Sequence, residues 1–341
     1  GRMSGRAGEL AGGRRVRLRD VAAAAETSAK TVSRVINGDP RVAPETRVRV
    51  QRAVLELGYQ PDPLARSLRR GTDDTIGVVV DSVADPFFAS VAGQIERVAL
   101  SKGITVMIAS TNRDQHHERE VLARMAQRRV AGLILTPIST EHSHVSALSC
   151  PVVFVDRRPS GVDADSVVVD DREGARTAVR HLIAHGHRRI AFLGLEPELD
   201  TTLLRLAGYQ AALAEQGIPA DDELVVRADP DSKRMGAETI RLLDAAEPPT
   251  AMFSTSTRSS LRVVPVLHRR GRRDIAFVGF GDLPLAESVS PGITVIDHPA
   301  DVIGRLAAER LMDRIAGQEP PPATLTVPLR LIARGSGEVR A

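Results

Sequence analysis

The sequence predicts an α/β protein that carries a small all-α unit ahead of its main body. Two observations support this fold class: three short helical patterns lie between residues 16 and 57, and from Thr75 short β-branched runs alternate with longer amphipathic ones. Near-continuous apolar strands that alternate with helices are typical of parallel sheets covered on both faces. Nine such runs over this length suit two open, doubly wound sheets better than one.

Composition limits the classes of protein. With 341 residues the chain is too long for one ordinary core, so two or three domains are expected. No apolar run approaches the roughly 20 residues that cross a bilayer. The first 15 residues contain no apolar signal segment, and the single cysteine, Cys150, excludes an internal disulfide. We therefore expect a cytoplasmic globular protein.

The charge is unevenly distributed along the chain. The net charge is +3, yet the segment Arg14–Arg70 holds 13 Lys and Arg against 6 Asp and Glu. A basic N-terminal module on a mildly acidic body is typical of a polyanion binder with a separate regulatory part. Residues 1–15, rich in glycine and arginine, are expected to form a disordered tail.

Residues 16–62 predict a helix-turn-helix unit. The three helical patterns are Leu18–Ala25, Ala29–Ile36 and Pro44–Leu57. The second helix has an apolar side, with Val32 and Val35, and a basic, hydroxyl-rich side. A helix of this kind suits the major groove of DNA. The alternative is a three-helix structural cap with a solvated basic face.

Candidate DNA contacts lie on and beside the second helix. Lys30 and Arg34 stand four residues apart on one face, where Arg34 is suited to a bidentate bond to guanine that discriminates by about 1–3 kcal/mol. Ser28 and Ala29 lie at the helix N-terminus, where Thr27 or Ser28 caps the helix and phosphate binds well. The residues assigned to positioning on the DNA backbone are Thr31, Ser33, Asn37 and Arg41.

The body predicts strands and helices in alternation. The expected strands are Ile76–Val80, Thr105–Ala109, Gly132–Leu135, Val152–Val155, Val167–Val169, Ile190–Leu193, Ala251–Ser254, Ile275–Val278 and Ile293–Ile296. The expected helices are Phe88–Lys102, Glu118–Gln127, Gly174–His185, Leu203–Gln216, Lys233–Leu243, Ser260–His268 and Val302–Ile315. A ligand is expected in the cleft beyond the carboxyl ends of the strands.

The chain resembles the LacI/GalR family of transcriptional regulators. The similarity is carried by RLRDVAAAAETSAKTVSRVIN, VAPETRVRVQRAVLELGYQPDPLARSLRRG and TIGVVV, and it continues through DPFFASVAGQIE, GLILTP, VDRR, GARTAVRHLIAHGHRRIAFLG, RLAGYQAAL and VGFGD. It implies a headpiece over 16–62, a hinge helix and linker over 63–74, and an effector-binding and dimerisation core over 75–341. That core would be periplasmic-binding-protein-like, with crossovers between two subdomains near residues 172, 299 and 328. The family resemblance also implies a homodimer, most simply a repressor, on a pseudo-palindromic operator.

The resemblance assigns a second DNA contact to the hinge. Leu64, Ala65 and Leu68 would lie in the minor groove, with Leu68 as the apolar wedge that unstacks a base step. The alternative for Leu68 is a linker residue that rests on the core. One departure is Glu26, which stands where the family usually has glycine; a left-handed conformation there costs roughly 1 kcal/mol.

The resemblance also places an effector site in the cleft. The matching positions are Asp85, Phe87, Phe88, Arg113, Asp156, Arg157, Thr201, Arg205, Ser256, Asp282 and His298. Carboxylates, arginines and an aromatic ring suit a polyol such as a sugar. For Arg205, and for Asp156 with Arg157, pairing within the protein is the alternative role.

Two departures from the family pattern affect that site. The segment Ser254–Arg258 lacks the usual asparagine, and Gly281-Asp282 replaces two adjacent aspartates. The effector is then a sugar, a different small ligand, or absent.

Other classes of function find little support in the sequence. No nucleotide-binding or hydrolase motif is present, so neither an enzyme nor a cofactor is expected. His181 and His185 have a spacing that a metal could use, but no further ligand completes a site, and no metal is expected. The rival interpretations are the solute-binding protein of a transporter and an enzyme tethered to DNA by the head.

Overall fold

The fold comes from a computed structural model, which describes residues 16, 18–36, 39–57, 59, 74–196, 199–229, 232–318 and 320–341. The chain divides into two units, one with the described residues up to Tyr59 and one with those from Asp74 onward. Several predictions lie outside the described residues. These are the tail over 1–15, the hinge helix within 63–73, and the DNA contacts Asn37, Leu64, Ala65 and Leu68.

The first unit is a three-helix bundle. Its helices are α1 (Leu18–Ala24), α2 (Ala29–Ile36) and α3 (Pro44–Glu56). They pack around Val21, Val32 and Val50, which are fully buried. The Ser28 hydroxyl accepts the Thr31 backbone N–H at 3.0 Å, which confirms Ser28 as the residue that caps α2. Glu26 has a φ of 50°, so the turn keeps the left-handed conformation expected at this position.

The second unit contains two six-stranded sheets. The strands are β1 (Thr75–Val80), β2 (Thr105–Ser110), β3 (Gly132–Leu135), β4 (Val152–Val155), β5 (Asp165–Val169), β6 (Ile190–Leu195), β7 (Val225–Ala228), β8 (Ala251–Ser254), β9 (Ala276–Phe280), β10 (Thr294–Asp297), β11 (Thr324–Val327) and β12 (Arg330–Ile332). The helices are α4 (Pro86–Ser101), α5 (Gln115–Gln127), α6 (Asp171–Ala184), α7 (Asp200–Glu215), α8 (Arg234–Leu243), α9 (Thr257–Arg269) and α10 (Ala300–Ile315).

The strand order defines two subdomains. The first sheet runs β11-β5-β4-β3-β1-β2 and is parallel throughout, and the second runs β12-β10-β9-β8-β6-β7. We call the first sheet with α4, α5 and α10 the first subdomain, and the second sheet with α6 to α9 the second subdomain. In each sheet the chain reverses direction across the sheet beside the first strand, β1 or β6. The predicted fold class, an all-α head before two doubly wound parallel sheets, is confirmed.

Three strands escaped the sequence prediction, and all three are edge strands. They are β7, β11 and β12, which are only partly buried, whereas central strands such as β3 are wholly buried. An edge strand has a neighbour on one side only, so it needs less apolar surface. In addition, β12 runs antiparallel to β10, which differs from the wholly parallel arrangement that was expected.

The chain passes between the subdomains three times. The crossings follow Val169 and Asp297 and separate Val327 from Arg330. Close helix packing supports each subdomain. In the second subdomain, a Cβ added to Gly208 on α7 would lie 2.1 Å from the carbonyl oxygen of Arg172 on α6, so only glycine allows this approach.

Candidate DNA-binding surface and ligand cleft

The polar side of α2 faces solvent. Ser28, Ala29 and Lys30 are exposed, and Thr31, Ser33 and Arg34 are half-buried, whereas Val32 and Val35 of the same helix lie in the bundle core. The first turn of α2 contains no acidic residue. A helix N-terminus with free N–H groups and nearby cations is a surface that suits phosphate and base edges.

One carboxylate holds two of the predicted DNA contacts. Asp39 accepts Arg34 Nε at 2.9 Å, and it accepts Nε and a terminal nitrogen of Arg41 at 3.0 Å each. Arg47 donates to the Asp39 carbonyl oxygen at 2.7 Å. The hydrogen bonds from Arg41, and then that from Arg34, hold the pKa of Asp39 well below its usual range. The sequence analysis missed Asp39, whose role depends on how the loop after α2 folds.

A cleft of about 530 Å³ lies where the two subdomains meet. Ten of the eleven predicted effector positions line it; the exception is Asp282. The lining residues that the sequence analysis missed are Asp81, Leu195, Thr202, Thr255, Thr257, Arg258 and Phe280. Asp81, Leu195, Thr255 and Phe280 stand at or just after the carboxyl ends of β1, β6, β8 and β9. Position after a parallel strand is therefore the signal that would have found them.

The first subdomain contributes a buried ion-pair cluster to the cleft. Arg157 forms a bidentate pair with Asp81, at 2.9 and 2.7 Å, and lies 3.3 Å from Asp156. Burial alone would lower the pKa of Arg157, but Asp81 and Asp156 more than reverse this and raise it. The pairing expected as the alternative for Asp156 and Arg157 is thus present, and both side chains still line the cleft.

The second subdomain contributes a matching pair. Arg205, near the start of α7, contacts Asp171 Oδ1 through Nε at 2.8 Å and through a terminal nitrogen at 2.6 Å. It also donates to the Thr255 carbonyl oxygen, and its guanidinium lies 3.8 Å above the Phe280 ring. Arg205 therefore has both roles that the sequence left open, since it is salt-bridged and lines the cleft.

Aromatic side chains form a further part of the lining. Phe87 stacks on His298, with ring centroids 3.9 Å apart, and Phe88 meets Phe87 edge to face. Burial, helped by the charge of Arg205, lowers the pKa of His298 well below its usual value, so the imidazole is neutral. Its Nε2 is buried without a hydrogen-bond partner in the described part of the chain. This arrangement offers a flat ring and a free imidazole nitrogen to a ligand.

Backbone strain is concentrated beside the cleft. Arg113 and Asp156 have φ values of 62° and 69°, which are unfavourable for side chains other than glycine. Asp85 caps α4 by accepting the Phe87 N–H at 2.9 Å, and burial raises its pKa to about 6. Strained backbone and a perturbed carboxyl in one concave site are features of functional sites.

Asp282 does not line the cleft, which corrects the sequence expectation. Its carboxylate binds Arg334 in a bidentate pair, at 2.7 Å for each oxygen. Gly281 before it has a φ of 88°, and an added Cβ would lie 2.6 Å from the Thr257 hydroxyl. The chain therefore turns after Phe280, which separates Asp282 from the cleft. Ser256 does line the cleft, and its hydroxyl also caps α9 by accepting the Ser259 N–H at 3.1 Å.

The histidine pair considered for metal is used in structural contacts. His181 Nε2 lies 2.5 Å from Glu338 Oε1, and His185 Nδ1 lies 2.8 Å from the His181 carbonyl oxygen. Within the described ranges, no group of three His, Cys, Asp or Glu side chains is arranged to hold a metal ion. Nor is any described helix both long enough and apolar enough to cross a membrane.

A helix-turn-helix head before a two-sheet body with a polar cleft defines a transcriptional regulator of the repressor type. The chain belongs to the LacI family. Residues 17–62 match the model of bacterial regulatory proteins of the lacI family, and residues 179–337 match a periplasmic binding protein-like domain. The transcriptional regulator CelR of Thermobifida fusca is 34% identical over 338 residues, which cover 95% of this chain and 99% of CelR.

Two solved structures extend the comparison. A complex of the regulator CelR with cellobiose has a TM-score of 0.68 and 31% identity, and the match covers 94% of this chain and 100% of that one. The lac repressor dimer bound to operator and the anti-inducer ONPF has a TM-score of 0.82 and 26% identity, with 95% and 99% coverage. The chain is accordingly similar to DNA-binding regulators over nearly its whole length.

Proposed function

We propose that this regulator binds a pseudo-palindromic operator as a homodimer in the cytoplasm, and that a small effector in the cleft controls its repression. The observation that carries this proposal is the cleft itself, since ten of the eleven positions chosen for an effector line one concave site. A volume of about 530 Å³ lies within the range of small-molecule sites.

The DNA contacts follow from the exposed side of α2. Lys30 and Arg34 read base edges in the major groove, while Ser28 and Ala29 place the helix N-terminus on a phosphate. Asp39 orients Arg34 and Arg41 before DNA arrives, which reduces the entropy that binding must remove. Leu68 of the hinge remains the predicted minor-groove wedge.

A sugar is the effector class that the cleft supports best. Carboxylates and guanidiniums bind vicinal hydroxyls, and the stacked Phe87 and His298 rings suit the apolar face of a pyranose. A related regulator, CelR, has been solved in complex with cellobiose. The contacts proposed for the sugar come from Asp85, Arg113 and Asp156 in the first subdomain, and from Thr201 and Ser256 in the second.

A regulator without a small effector is the second candidate. Internal ion pairs favour it, since Arg157 and Arg205 already satisfy Asp81 and Asp171 without any ligand. Under this alternative the cleft charges only stabilise the fold.

Dimer formation has support in the first subdomain. β2 is an edge strand, and Ile108 on it is 42% exposed; Leu100 at the end of α4 is 71% exposed. Exposed apolar side chains beside a strand at the sheet edge suit an interface with a second copy. The lac repressor, to which this chain is similar, has been solved as a dimer on its operator.

The deciding experiment measures DNA binding and effector response together. An operator is selected from random duplexes with the full chain, and its affinity is measured with and without a panel of sugars. Lys30→Ala should weaken operator binding, whereas Lys102→Ala, an exposed lysine in the second unit, should leave it unchanged. An operator affinity that no sugar changes, despite a wide panel, would favour the effector-free regulator. No selectable operator at all would contradict the DNA-binding proposal.

A further inference from the structure

The lining of the cleft contains more guanidinium groups than carboxylates. The charged lining residues are Arg113, Arg157, Arg205 and Arg258 against Asp81, Asp85 and Asp156. Arg157 and Arg205 each form a close ion pair within their own subdomain, with Asp81 and Asp171. Arg113 and Arg258 come from opposite subdomains. They are the groups through which a ligand can sense the charge of both walls.

Arg113 has an unused donor inside the protein. Its side chain is only 8% exposed, and its Nε is buried without a hydrogen-bond partner among the residues that the structure describes. The ion pair between this Nε and Asp81 Oδ2 spans 3.9 Å, which is too long for a hydrogen bond. Burial lowers the pKa of Arg113 to about 10, and the positive charges of Arg157 and Arg258 add to this effect while Asp81 opposes it. A buried charged donor of this kind is satisfied by an acceptor on a ligand.

Arg258 stands at the second position of α9, where a cation is unusual. The first turn of α9 has no acidic residue, and the dipole of a 13-residue helix repels a cation at its N-terminus. The same end of the helix favours an anion. Ser256 and Thr257 line the cleft at this point as well. Because the charge of Arg258 also acts on Arg113, two like charges oppose each other across the cleft.

We propose that the effector is a polyhydroxylated molecule with one anionic group, a carboxylate or a phosphate, which Arg113 and Arg258 hold between them at the N-terminus of α9. This inference rests on the proposed effector function. The hydroxyl groups of the ligand then face Asp85 and Asp156, which line the same cleft. An anion between the two arginines replaces repulsion across the cleft by attraction to both walls, so it favours the closed cleft.

The test compares ligands that differ only in charge. Calorimetry on the full chain uses glucose, galactose and ribose, each beside its sugar acid and its sugar phosphate, and inorganic phosphate serves as the bare anion. At least one anionic member should bind tenfold or more tightly than its neutral parent, and its affinity should fall as salt rises. The acids and the phosphates report separately on a carboxylate and on a phosphate. Neutral parents that bind as tightly as their anionic forms would overturn the proposal.

Matched variants locate the anion. Arg113→Gln and Arg258→Gln should each weaken the anionic ligand at least tenfold and change the neutral parent less than threefold. Arg262→Gln removes the same charge one turn further along α9, outside the lining, and should change neither. Arg258→Lys keeps the charge, so it should retain part of the preference if the glutamine variant fails to fold. Equal losses for charged and neutral ligands would refute the assignment.

Two different failures remain distinguishable. A neutral sugar that binds and changes operator affinity, with no anionic preference, would refute the anionic ligand and keep the sensor. A panel in which nothing binds, with an unchanged melting temperature in inorganic phosphate, would refute both the sensor and its anionic ligand.

Discussion

Asp85 combines a helix cap with a buried charge, and these two roles can be separated by one substitution. Its carboxylate is 7% exposed, it caps α4 through the Phe87 N–H, and burial raises its pKa to about 6 from 3.8. An asparagine at this position would keep the cap, because asparagine caps helices as well as aspartate does. Asp85→Asn therefore removes the charge and leaves the hydrogen bond.

The size and sign of the effect follow from the pKa. A raised pKa means that the folded state binds the proton more tightly than the unfolded state does. The stabilisation is complete below about pH 4 and is lost as the pH rises through about 6. A difference of about two pKa units corresponds to roughly 3 kcal/mol. Asp85→Asn should thus match the wild type near pH 4 and be more stable by up to roughly 3 kcal/mol above pH 7.

Urea denaturation measures this difference across the pH range. Because the chain has no tryptophan, circular dichroism follows the unfolding. Asp114→Asn is the matched control: Asp114 also caps a helix, but it is exposed, and its hydrogen bonds from the His117 and His116 backbones lower its pKa. The control should lose stability at neutral pH. A pH-independent difference for Asp85→Asn, or a variant less stable than the wild type at pH 7.5, would refute the reasoning.

Three further predictions use the same kind of measurement. Glu26→Gly should raise the free energy of unfolding of the head by about 1 kcal/mol, since glycine adopts φ near 50° freely; an unchanged or lower value contradicts this. Gly208→Ala should destabilise the body by roughly 1–3 kcal/mol through its clash with Arg172, whereas Gly93→Ala, with open space around it, should stabilise it by up to about 1 kcal/mol. Asp39→Asn should lower operator affinity and raise affinity for random DNA in titrations of both duplexes, and equal changes for the two would exclude an orienting role.

The fold could be predicted from the sequence because its central strands are apolar on both faces. The run that became β3, for example, is buried at all four residues, and such runs stand out between amphipathic helices. The edge strands β7, β11 and β12 lack that signal. Their pairing is decided by neighbours distant in sequence, as when β11 pairs with β5, so a local pattern does not reveal it.

The site was predictable in its location and less so in its contacts. Family resemblance supplied most lining positions, but the partners of those side chains depend on tertiary folding. Asp171 meets Arg205 from another helix, and Arg334 draws Asp282 away from the cleft. Asp39 was missed for the same reason, because its contacts form only when the loop after α2 folds back on the helix.

The placement of the cleft charges determines which groups can carry a signal. The Arg157–Asp81 pair lies wholly in the first subdomain, and the Arg205–Asp171 pair lies wholly in the second, so neither needs to change when the subdomains move. A ligand shifts an equilibrium only by the difference between its affinities for the two states. That difference must therefore come from groups on opposite walls, such as Arg113 and Arg258. By linkage, whatever binding free energy the effector gains from them in one state changes its own affinity and that of the operator by the same factor.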